Sequence, residues 1–261
     1  MPELAEVQWF SRQWDPGRGK PVLKVHIQPQ ARVFRGENVS AFQKLRGQQL
    51  LETRTHGKHM LFAFSGGLWL SGHLGMTGEI LTLAPLHRPE KHDHLVLQTG
   101  DGALVFRDPR MFGRLSLHIA PSAPEWWTAL PPEIMSKGFT VNLVRDFLKR
   151  RARTPLKALL LEQEAFPGIG NWMADEAMWQ LRLHPGTPAG SADPHALHQV
   201  LRKITGTALR TIGRDWSDPP RAWLFQHRWK AGANCPRCRS ALARETLRGR
   251  TACWCPCCQP E

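Results

Sequence analysis

The sequence contains no tyrosine, so aromatic contacts depend on its 11 Trp and 11 Phe residues. It also has no uninterrupted apolar run near the roughly 18 residues of a membrane span, and we expect no membrane partner. The N-terminal segment MPELAEVQWF has two acidic residues and no basic cluster, which argues against a secretory signal peptide. We therefore expect a cytoplasmic protein.

Cysteine is absent from the first 234 residues, and all six cysteines fall between Cys235 and Cys258. A disulfide framework would usually spread its cysteines through a small secreted chain, so this clustering favours a metal site. Two C-x-x-C pairs, 16 residues apart, predict one structural zinc held by four thiolates. The predicted ligands are Cys235, Cys238, Cys255 and Cys258, with Cys253 and Cys257 left over. Reduced cysteines that merely pack together are the alternative.

Acidic residues are also scarce. The chain has 35 Lys and Arg against 22 Asp and Glu, a net charge of +13 and a pI of about 10.2. Such a balance favours a polyanionic partner, usually a nucleic acid. Residues 1–135 hold 15 basic and 12 acidic residues, whereas residues 136–261 hold 20 and 10. Most of the phosphate attraction is therefore expected in the C-terminal half.

The hydrophobic pattern changes its period along the 261 residues, and the length suggests about two domains. A helix is predicted at 3–14, with one or two helical turns at 40–46. Short strands are predicted at 22–27, 48–55, 59–64, 68–72, 80–83, 95–99 and 103–107. Helices are predicted at 141–151, 155–164, 171–181 and 194–212, with a loop at 213–230. Thr154 followed by Pro155 resembles a capped helix start with proline at the first helical position. The pattern predicts an α+β protein with an antiparallel β-sandwich or barrel at 1–119, a linker at 120–136, a helical domain at 137–230 and a zinc finger at 231–261.

Pro2 is the first candidate for catalysis. Removal of the initiator Met would leave a secondary amine, and an α-amine is partly neutral and nucleophilic near pH 7. Attack of that amine on a sugar C1′ would give an iminium ion that acidifies the C2′ proton, and Glu3 could act there as acid or base. Most chains that begin Met-Pro are simply processed at that bond, so the pair alone proves little.

Several motifs occur in a fixed order along the chain. They are Met1-Pro2-Glu3-Leu4-Ala5-Glu6-Val7, Gly57-Lys58-His59, His73-Leu74-Gly75-Met76-Thr77-Gly78, Lys91-His92-Asp93-His94, Asp108-Pro109-Arg110-Met111-Phe112-Gly113, Pro167-Gly168-Ile169-Gly170-Asn171 and Gly249-Arg250-Thr251 before the last cysteine pair. Together they resemble the formamidopyrimidine-DNA glycosylase and endonuclease VIII family of base-excision repair, over essentially the whole chain. The resemblance implies an N-terminal β-sandwich, a helix–two-turns–helix domain and a terminal zinc finger.

The resemblance also implies roles for individual residues. Pro2 matches the family nucleophile and Glu3 its neighbouring acid. Lys58 matches the lysine of β-elimination, although a lysine on a strand at 57–64 could equally extend its amine to solvent. Arg250 matches the finger arginine of δ-elimination. The implied activity is that of a bifunctional DNA glycosylase and AP lyase on damaged duplex DNA.

Further positions match DNA contacts of the family. Met76, Arg110 and Phe112 match residues that fill the gap left by a flipped nucleotide, although core packing is the alternative. The helix that follows Gly170 offers N–H groups to a phosphate, and Asn171 could cap it. The implied phosphate contacts are His73, His92, Lys157 and Asn171. A further family lysine falls at Ala152 in this chain, so Arg151 or Arg153 would have to replace it.

The chain departs from the family in one long stretch, residues 212–229, where the 8-oxoguanine branch has a Gly-Lys-Pro-Gly-Tyr-Phe-like core. Smaller departures are Ala5 in place of proline, and Met111. The motif at 73–78 nevertheless favours the oxidised-purine branch. The alternatives are an AP lyase or an enzyme for oxidised pyrimidines and, in another class, a non-catalytic zinc-finger DNA-binding protein. We expect a monomer.

Overall fold

The computed structural model describes residues 2–260 and divides them into two compact units. The first unit comprises residue 2 and residues 6–130, and the second comprises residues 3–5 and 131–260. The boundary near residue 130 falls inside the linker predicted from proline density. None of the helices in the described range combines the length and the apolarity of a membrane span.

The first unit is built from one long helix and two antiparallel sheets. Helix α1 spans Leu4–Arg12, and its first two residues belong to the second unit. The strands are β1 (Lys24–Ile27), β2 (Leu50–His56), β3 (His59–Phe64), β4 (Leu68–His73), β5 (Glu79–Leu83), β6 (Asp93–Gln98), β7 (Ala103–Arg107) and β8 (Arg114–Ile119). Their order is β1-β6-β7-β5 in one sheet and β2-β3-β4-β8 in the other. The sandwich predicted from the sequence is confirmed.

The inward faces of these sheets carry the apolar side chains of each alternating pattern. On β3, for example, Met60, Phe62 and Phe64 are buried in one cluster with Leu70 and Leu115 of its neighbours. The opposite face of β3, β4 and β8, called the polar face below, carries His59, Ser71 and Ser116 on the other phase of the alternation, together with the apolar Leu61 and Ala63. Strand β8 has the same alternation at Leu115 and Leu117, but the sequence prediction omitted it.

The linker region contains a short helix α2 (Glu125–Thr128). The second unit then holds α3 (Val141–Arg150), α4 (Leu156–Leu160), α5 (Asn171–Leu181), α6 (Pro194–Arg210) and α7 (Ile212–Asp215). Their apolar faces share one buried cluster that includes Phe166, Met173 and Leu201. Helix α5 has almost no exposed face, because eight of its 11 residues are buried. It is therefore the central element of this unit.

Two helix starts differ from the predictions. Thr154 does not cap α4; Pro155 is itself the N-cap residue, without a side-chain hydrogen bond. The N-cap of α5 is Gly170, and Asn171 is the first residue of the helix. The loop predicted at 213–230 also contains order, namely most of α7 and a 3-10 turn at Leu224–Gln226. In both helix starts the predicted capping side chain has no part in the cap.

The chain ends in a small hairpin of β9 (Ala243–Leu247) and β10 (Arg250–Trp254). Leu247 pairs with Arg250, so the turn has only two residues. Both turn residues have positive φ, 46° at Arg248 and 75° at Gly249, as the primed hairpin turns require. The turn places Arg250 at the exposed tip of the hairpin.

Candidate active site and metal centre

Glu3 is buried at the start of α5, and its carboxylate serves as the anionic cap of that helix. Its oxygens accept hydrogen bonds from the backbone N–H groups of Gly170 (2.9 Å), Trp172 (2.8 Å) and Met173 (3.1 Å). Helix N-termini attract negative charge because their first N–H groups lack partners within the helix. Glu3 is only 2% exposed. The residue next to Pro2 is therefore held rigidly, while Pro2 itself is half-buried.

The absence of a side chain at Gly170 permits this contact. A Cβ atom at that position would lie 2.3 Å from the carboxyl carbon of Glu3. Three N–H groups that the sequence suggested for a phosphate are thus already bonded to Glu3. Removal of Met1, on which a free Pro2 amine depends, concerns a residue outside the described range.

Lys58 lies in the tight turn between β2 and β3, not on a strand as predicted. His56 pairs with His59, so Gly57 and Lys58 form a two-residue turn, with φ of +56° at Gly57. Lys58 is only 6% exposed. Its amine is therefore not extended into solvent, and the structural alternative weighed from the sequence is wrong.

The exposed Arg250 is followed by a residue that is firmly anchored. The carbonyl oxygen of Thr251 accepts hydrogen bonds from Lys157 Nζ (2.6 Å) and from Asn171 Nδ2 (2.9 Å). Two of the expected phosphate contacts therefore hold the finger strand in the structure. We infer that Lys157 and Asn171 position Arg250 relative to α5.

Lys157 is part of a buried charge network. Its ammonium lies 2.5 Å from Asp175, whose other oxygen is 2.5 Å from the guanidinium of Arg228. Burial lowers the pKa of Lys157, and the carboxylate of Asp175 opposes that shift. Because Lys157 is 1% exposed, its side chain is not open to a phosphate in this conformation. In the structure the Lys157 amine contacts Asp175 and the Thr251 carbonyl, and its phosphate contact stays a prediction.

The three residues expected to fill a gap in DNA are all exposed. Met76 and Phe112 are each 44% exposed, and the Arg110 guanidinium lies 4.8 Å from the centre of the Phe112 ring. Their two loops are in contact, since a Cβ at Gly75 would lie 2.4 Å from the backbone of Phe112. These side chains are therefore not core residues. Their exposure is compatible with the wedge role.

A buried residue joins the two loops. Asp108 accepts hydrogen bonds from Thr77 Oγ1 (2.7 Å) and from the N–H groups of Gly113 (2.7 Å) and Arg110 (3.3 Å). It is fully buried. No role for Asp108 was expected from the sequence. Its place as the first residue of the motif at 108–113 was the signal that could have revealed this role.

His73, at the end of β4, is held in one orientation. Its Nδ1 accepts the N–H of Gly75 at 3.0 Å, so in the neutral ring Nε2 carries the proton and can donate. Burial, together with the nearby His59, Lys58 and Arg35, lowers the pKa of His73 to about 4. His73 would therefore meet a phosphate as a neutral donor.

The last two expected contacts differ in exposure. His92 is half-buried, and its carbonyl accepts the N–H of Asp108 at 3.1 Å. Arg153 is exposed between α3 and α4. Both remain open to a ligand.

The four predicted zinc ligands converge. The sulfur atoms of Cys235, Cys238, Cys255 and Cys258 all lie within 4.8 Å of one another, and residues 2–260 hold no other such group of candidate metal ligands. Four thiolates at these separations fit a tetrahedral zinc, whose Zn–S bonds are about 2.3 Å. Gln259 ties the site to the segment that follows α5 by donating to the carbonyl of Leu183 at 2.7 Å. Cys253 and Cys257 lie outside the cluster, as predicted.

The segment at 213–230 packs against α5. Glu176 accepts the N–H of Phe225 at 3.0 Å, and the Phe225 ring lies 4.8 Å from that of Trp172. Burial raises the pKa of Glu176 to about 7. Trp216 and Trp229 remain about half exposed. The segment therefore has an anchored base and an exposed aromatic surface.

Two family models match the chain. Residues 1–115 match the formamidopyrimidine-DNA glycosylase N-terminal domain, and residues 130–217 match the H2TH domain of the same family. Among curated proteins, a formamidopyrimidine-DNA glycosylase of Roseiflexus is 35% identical, covering 99% of this chain and all of its own. The protein of that name from Thermus thermophilus is 34% identical, over 100% and 99% respectively.

Solved structures of the same family are also similar to this chain. The Lactococcus lactis Fpg protein bound to DNA with an oxidised pyrimidine superposes with a TM-score of 0.89 at 27% identity, over the full length of both chains. Its complex with DNA containing an abasic site gives 0.88 at 26% identity, over 99% of this chain and all of that one. The similarity spans both compact units and the finger.

Proposed function

Because the chain belongs to the formamidopyrimidine-DNA glycosylase family, we propose that it removes oxidised bases, chiefly purines, from duplex DNA and then cuts the strand. Membership of the family makes the chain a DNA glycosylase that acts on damaged DNA. The lesion, the lyase step and the residue roles are our proposal. A non-catalytic DNA-binding protein is not supported, because the relatives are enzymes over their full length.

The observation that carries the proposal is the anchoring of Glu3. A carboxylate fixed by three N–H groups of α5 keeps the chain immediately beside Pro2 in one place. Holding a nucleophile in near-attack geometry speeds its reaction, because less entropy is then lost in reaching the transition state. Pro2 then offers a secondary amine as soon as Met1 is removed.

The proposed chemistry follows from a secondary amine. The Pro2 nitrogen attacks C1′, and the damaged base leaves with the proton of the amine. Protonation of O4′ then breaks the C1′–O4′ bond, which opens the sugar ring and leaves an iminium ion at C1′. Loss of the C2′ proton expels the 3′ phosphate, which is β-elimination. A second elimination expels the 5′ phosphate, and water then hydrolyses the iminium and frees Pro2. We assign the proton transfers at the sugar to Glu3 and Lys58.

Arg250 is assigned to the second elimination. Its guanidinium stands at the exposed tip of the finger hairpin, and a fixed positive group stabilises charge on a departing phosphate. We also propose that the four-cysteine site holds one zinc, which stabilises the finger and takes no part in the reaction. The protein would act as a cytoplasmic monomer on damaged duplex DNA.

A second candidate activity concerns the segment at 213–230. Its departure from the oxidised-purine pattern, with Trp216 and Trp229 exposed, is compatible with oxidised pyrimidines or with lyase activity alone. The solved complex of the L. lactis protein with oxidised-pyrimidine DNA shows that a related protein binds such DNA. We rank this second, because the 73–78 loop carries the oxidised-purine motif.

The experiment is a panel of duplexes, each with one lesion: 8-oxoguanine, a formamidopyrimidine, an oxidised pyrimidine or an abasic site. We expect excision of the purine lesions to be fastest, with both phosphate-ended products on a denaturing gel. Arg250→Gln should leave the β-elimination product to accumulate. Cleavage of the abasic duplex alone would reject the glycosylase part of the proposal.

A further inference from the structure

A cavity of about 480 Å³ opens within the first unit, on the polar face of the sheet β2-β3-β4-β8. Its volume is within the range of small-molecule sites. The lining combines an aromatic ring with several polar side chains. The lining residues include Glu37, His59, Ser71, Ser116, His118 and Trp126.

The floor of the cavity follows from the sheet register. Leu61 pairs with Ser71, and Ser71 pairs with Ser116, so both hydroxyls lie side by side on the polar face. Ser71 Oγ lies 3.3 Å from Nε2 of His118. The two serines are nearly buried, at 9% and 8% exposure. The floor therefore offers hydrogen-bonding groups that are largely shielded from solvent.

One wall is the indole of Trp126, on α2. Its ring centre lies 5.6 Å from that of His59 and 6.0 Å from that of His118. Burial lowers the pKa of His59 and of His118, which keeps both rings neutral near pH 7. Flat, neutral rings around a cavity suit a planar heterocyclic ligand.

The lining also carries charge. Arg35 and Arg114 are exposed residues that line the cavity. One nitrogen of the Arg35 guanidinium donates to the carbonyl of Gly113 at 2.8 Å, and Arg114 lies 3.9 Å from the carboxylate of Glu37. Arginine binds phosphate through its planar set of donors. A carboxylate and two hydroxyls supply acceptors and donors for the edge of a base. The lining thus offers flat rings for a heterocycle and guanidinium groups for an anion.

We propose that this cavity binds one nucleoside monophosphate unit, with its base against Trp126 and its phosphate toward Arg35 and Arg114. The unit comes either from a free nucleotide or from a flexible single strand. A metal ion is not the ligand, because the cysteine cluster is the sole group of metal-ligand spacing in residues 2–260. The proposal does not depend on the excision of any lesion.

The test is calorimetric titration of the full-length protein with GMP, with guanosine and with a guanine-containing pentanucleotide. We expect GMP to bind more tightly than guanosine. Trp126→Leu should weaken GMP binding roughly five- to 100-fold, the scale of one base–aromatic stack. Trp127→Leu is the matched control, because that indole lies on the same helix but does not line the cavity, and its affinity should stay within about twofold.

A second variant keeps the proposal testable if Trp126→Leu fails to fold. Arg114→Gln, at a half-exposed side chain, should bring the affinity for GMP closer to that for guanosine while leaving thermal unfolding unchanged. Binding of GMP alone identifies a free nucleotide as the source, and binding of the pentanucleotide as well identifies a single strand. Absence of GMP binding at millimolar concentration, or binding that Trp126→Leu leaves unchanged, overturns the proposal.

Discussion

At the scale of single residues, the contact between Glu3 and Gly170 joins the N-terminal segment to α5. We predict that Gly170→Ala expels the Glu3 carboxylate, because the new Cβ would overlap it at 2.3 Å. Three N–H groups would lose a buried acceptor, and each group left unsatisfied costs about 1–3 kcal/mol. The free energy of unfolding from urea denaturation measures this loss. Strand cleavage at an abasic site should slow as well.

The matched control is Gly100→Ala. No atom lies within 4 Å of a Cβ at Gly100, and its φ is not in the left-handed region. The free energy of unfolding should therefore stay within about 0.5 kcal/mol of the parent. Equal stability of the two variants would show that Glu3 does not depend on the missing side chain.

Phe112 gives a second prediction at this scale. Because its ring is half exposed and meets the Arg110 guanidinium rather than the core, Phe112→Ala should leave the protein's stability nearly unchanged. It should weaken binding to lesion duplex by about 1–3 kcal/mol, the worth of one stacking contact. Fluorescence anisotropy on lesion and intact duplexes provides the comparison. Equal weakening on both duplexes would contradict the wedge role.

At the scale of elements, α5 is where the second unit is tied together. Glu3 caps its first turn, Asp175 pairs with Lys157 and Arg228, and Glu176 accepts the N–H of Phe225. Two of these carboxylates belong to a helix with almost no exposed surface. Buried charges persist only when they are paired or protonated. The helix thus positions both the finger and the segment at 213–230.

Glu176 makes this element sensitive to pH. Burial raises its pKa from 4.5 to about 7, so between these values the folded protein holds a proton that the unfolded chain releases. The contribution of Glu176 to the free energy of unfolding is fully present below pH 4.5 and is lost as the pH rises through 7. Glu176→Gln should therefore gain stability relative to the parent as the pH rises from 5 to 7.5. A pH-independent difference between the two unfolding free energies would contradict this reasoning.

The zinc finger gives a prediction about metal. We expect about one zinc per chain, retained in Cys253→Ser and lost in Cys255→Ser, because only the second residue belongs to the cluster within 4.8 Å. Atomic absorption on the dialysed proteins measures this. Since such small modules rarely fold without their metal, a strong chelator should also abolish DNA binding. Loss of zinc from Cys253→Ser with retention in Cys255→Ser would overturn the ligand assignment.

At the scale of the whole molecule, the sequence predicted the features that rest on local pattern. The β-sandwich, the bounds of β3, β7 and α5, and the cysteine cluster all follow from alternation, helical period or spacing. The contact of Glu3 with Gly170 joins residues 167 positions apart, and no local pattern encodes it.

The surroundings of Lys157 could not be predicted from local sequence pattern either. Its charge and its place in the family motif indicated a phosphate contact, but its partner Asp175 lies 18 positions along the chain and Thr251 lies 94. Burial of a lysine depends on which helices meet, and a single sequence does not state that. Strand β8, in contrast, was detectable from the alternation of Leu115, Leu117 and Ile119.

The central claim, that the Pro2 amine forms the covalent intermediate, is tested by borohydride trapping on an abasic duplex. We predict that the mature protein is trapped, that a short N-terminal extension abolishes trapping, and that proteolytic removal of the extension restores it. Pro2→Gly is uninformative here, because glycine keeps an amine. Equal trapping of the extended and the mature protein would contradict the account and assign the nucleophile to a lysine.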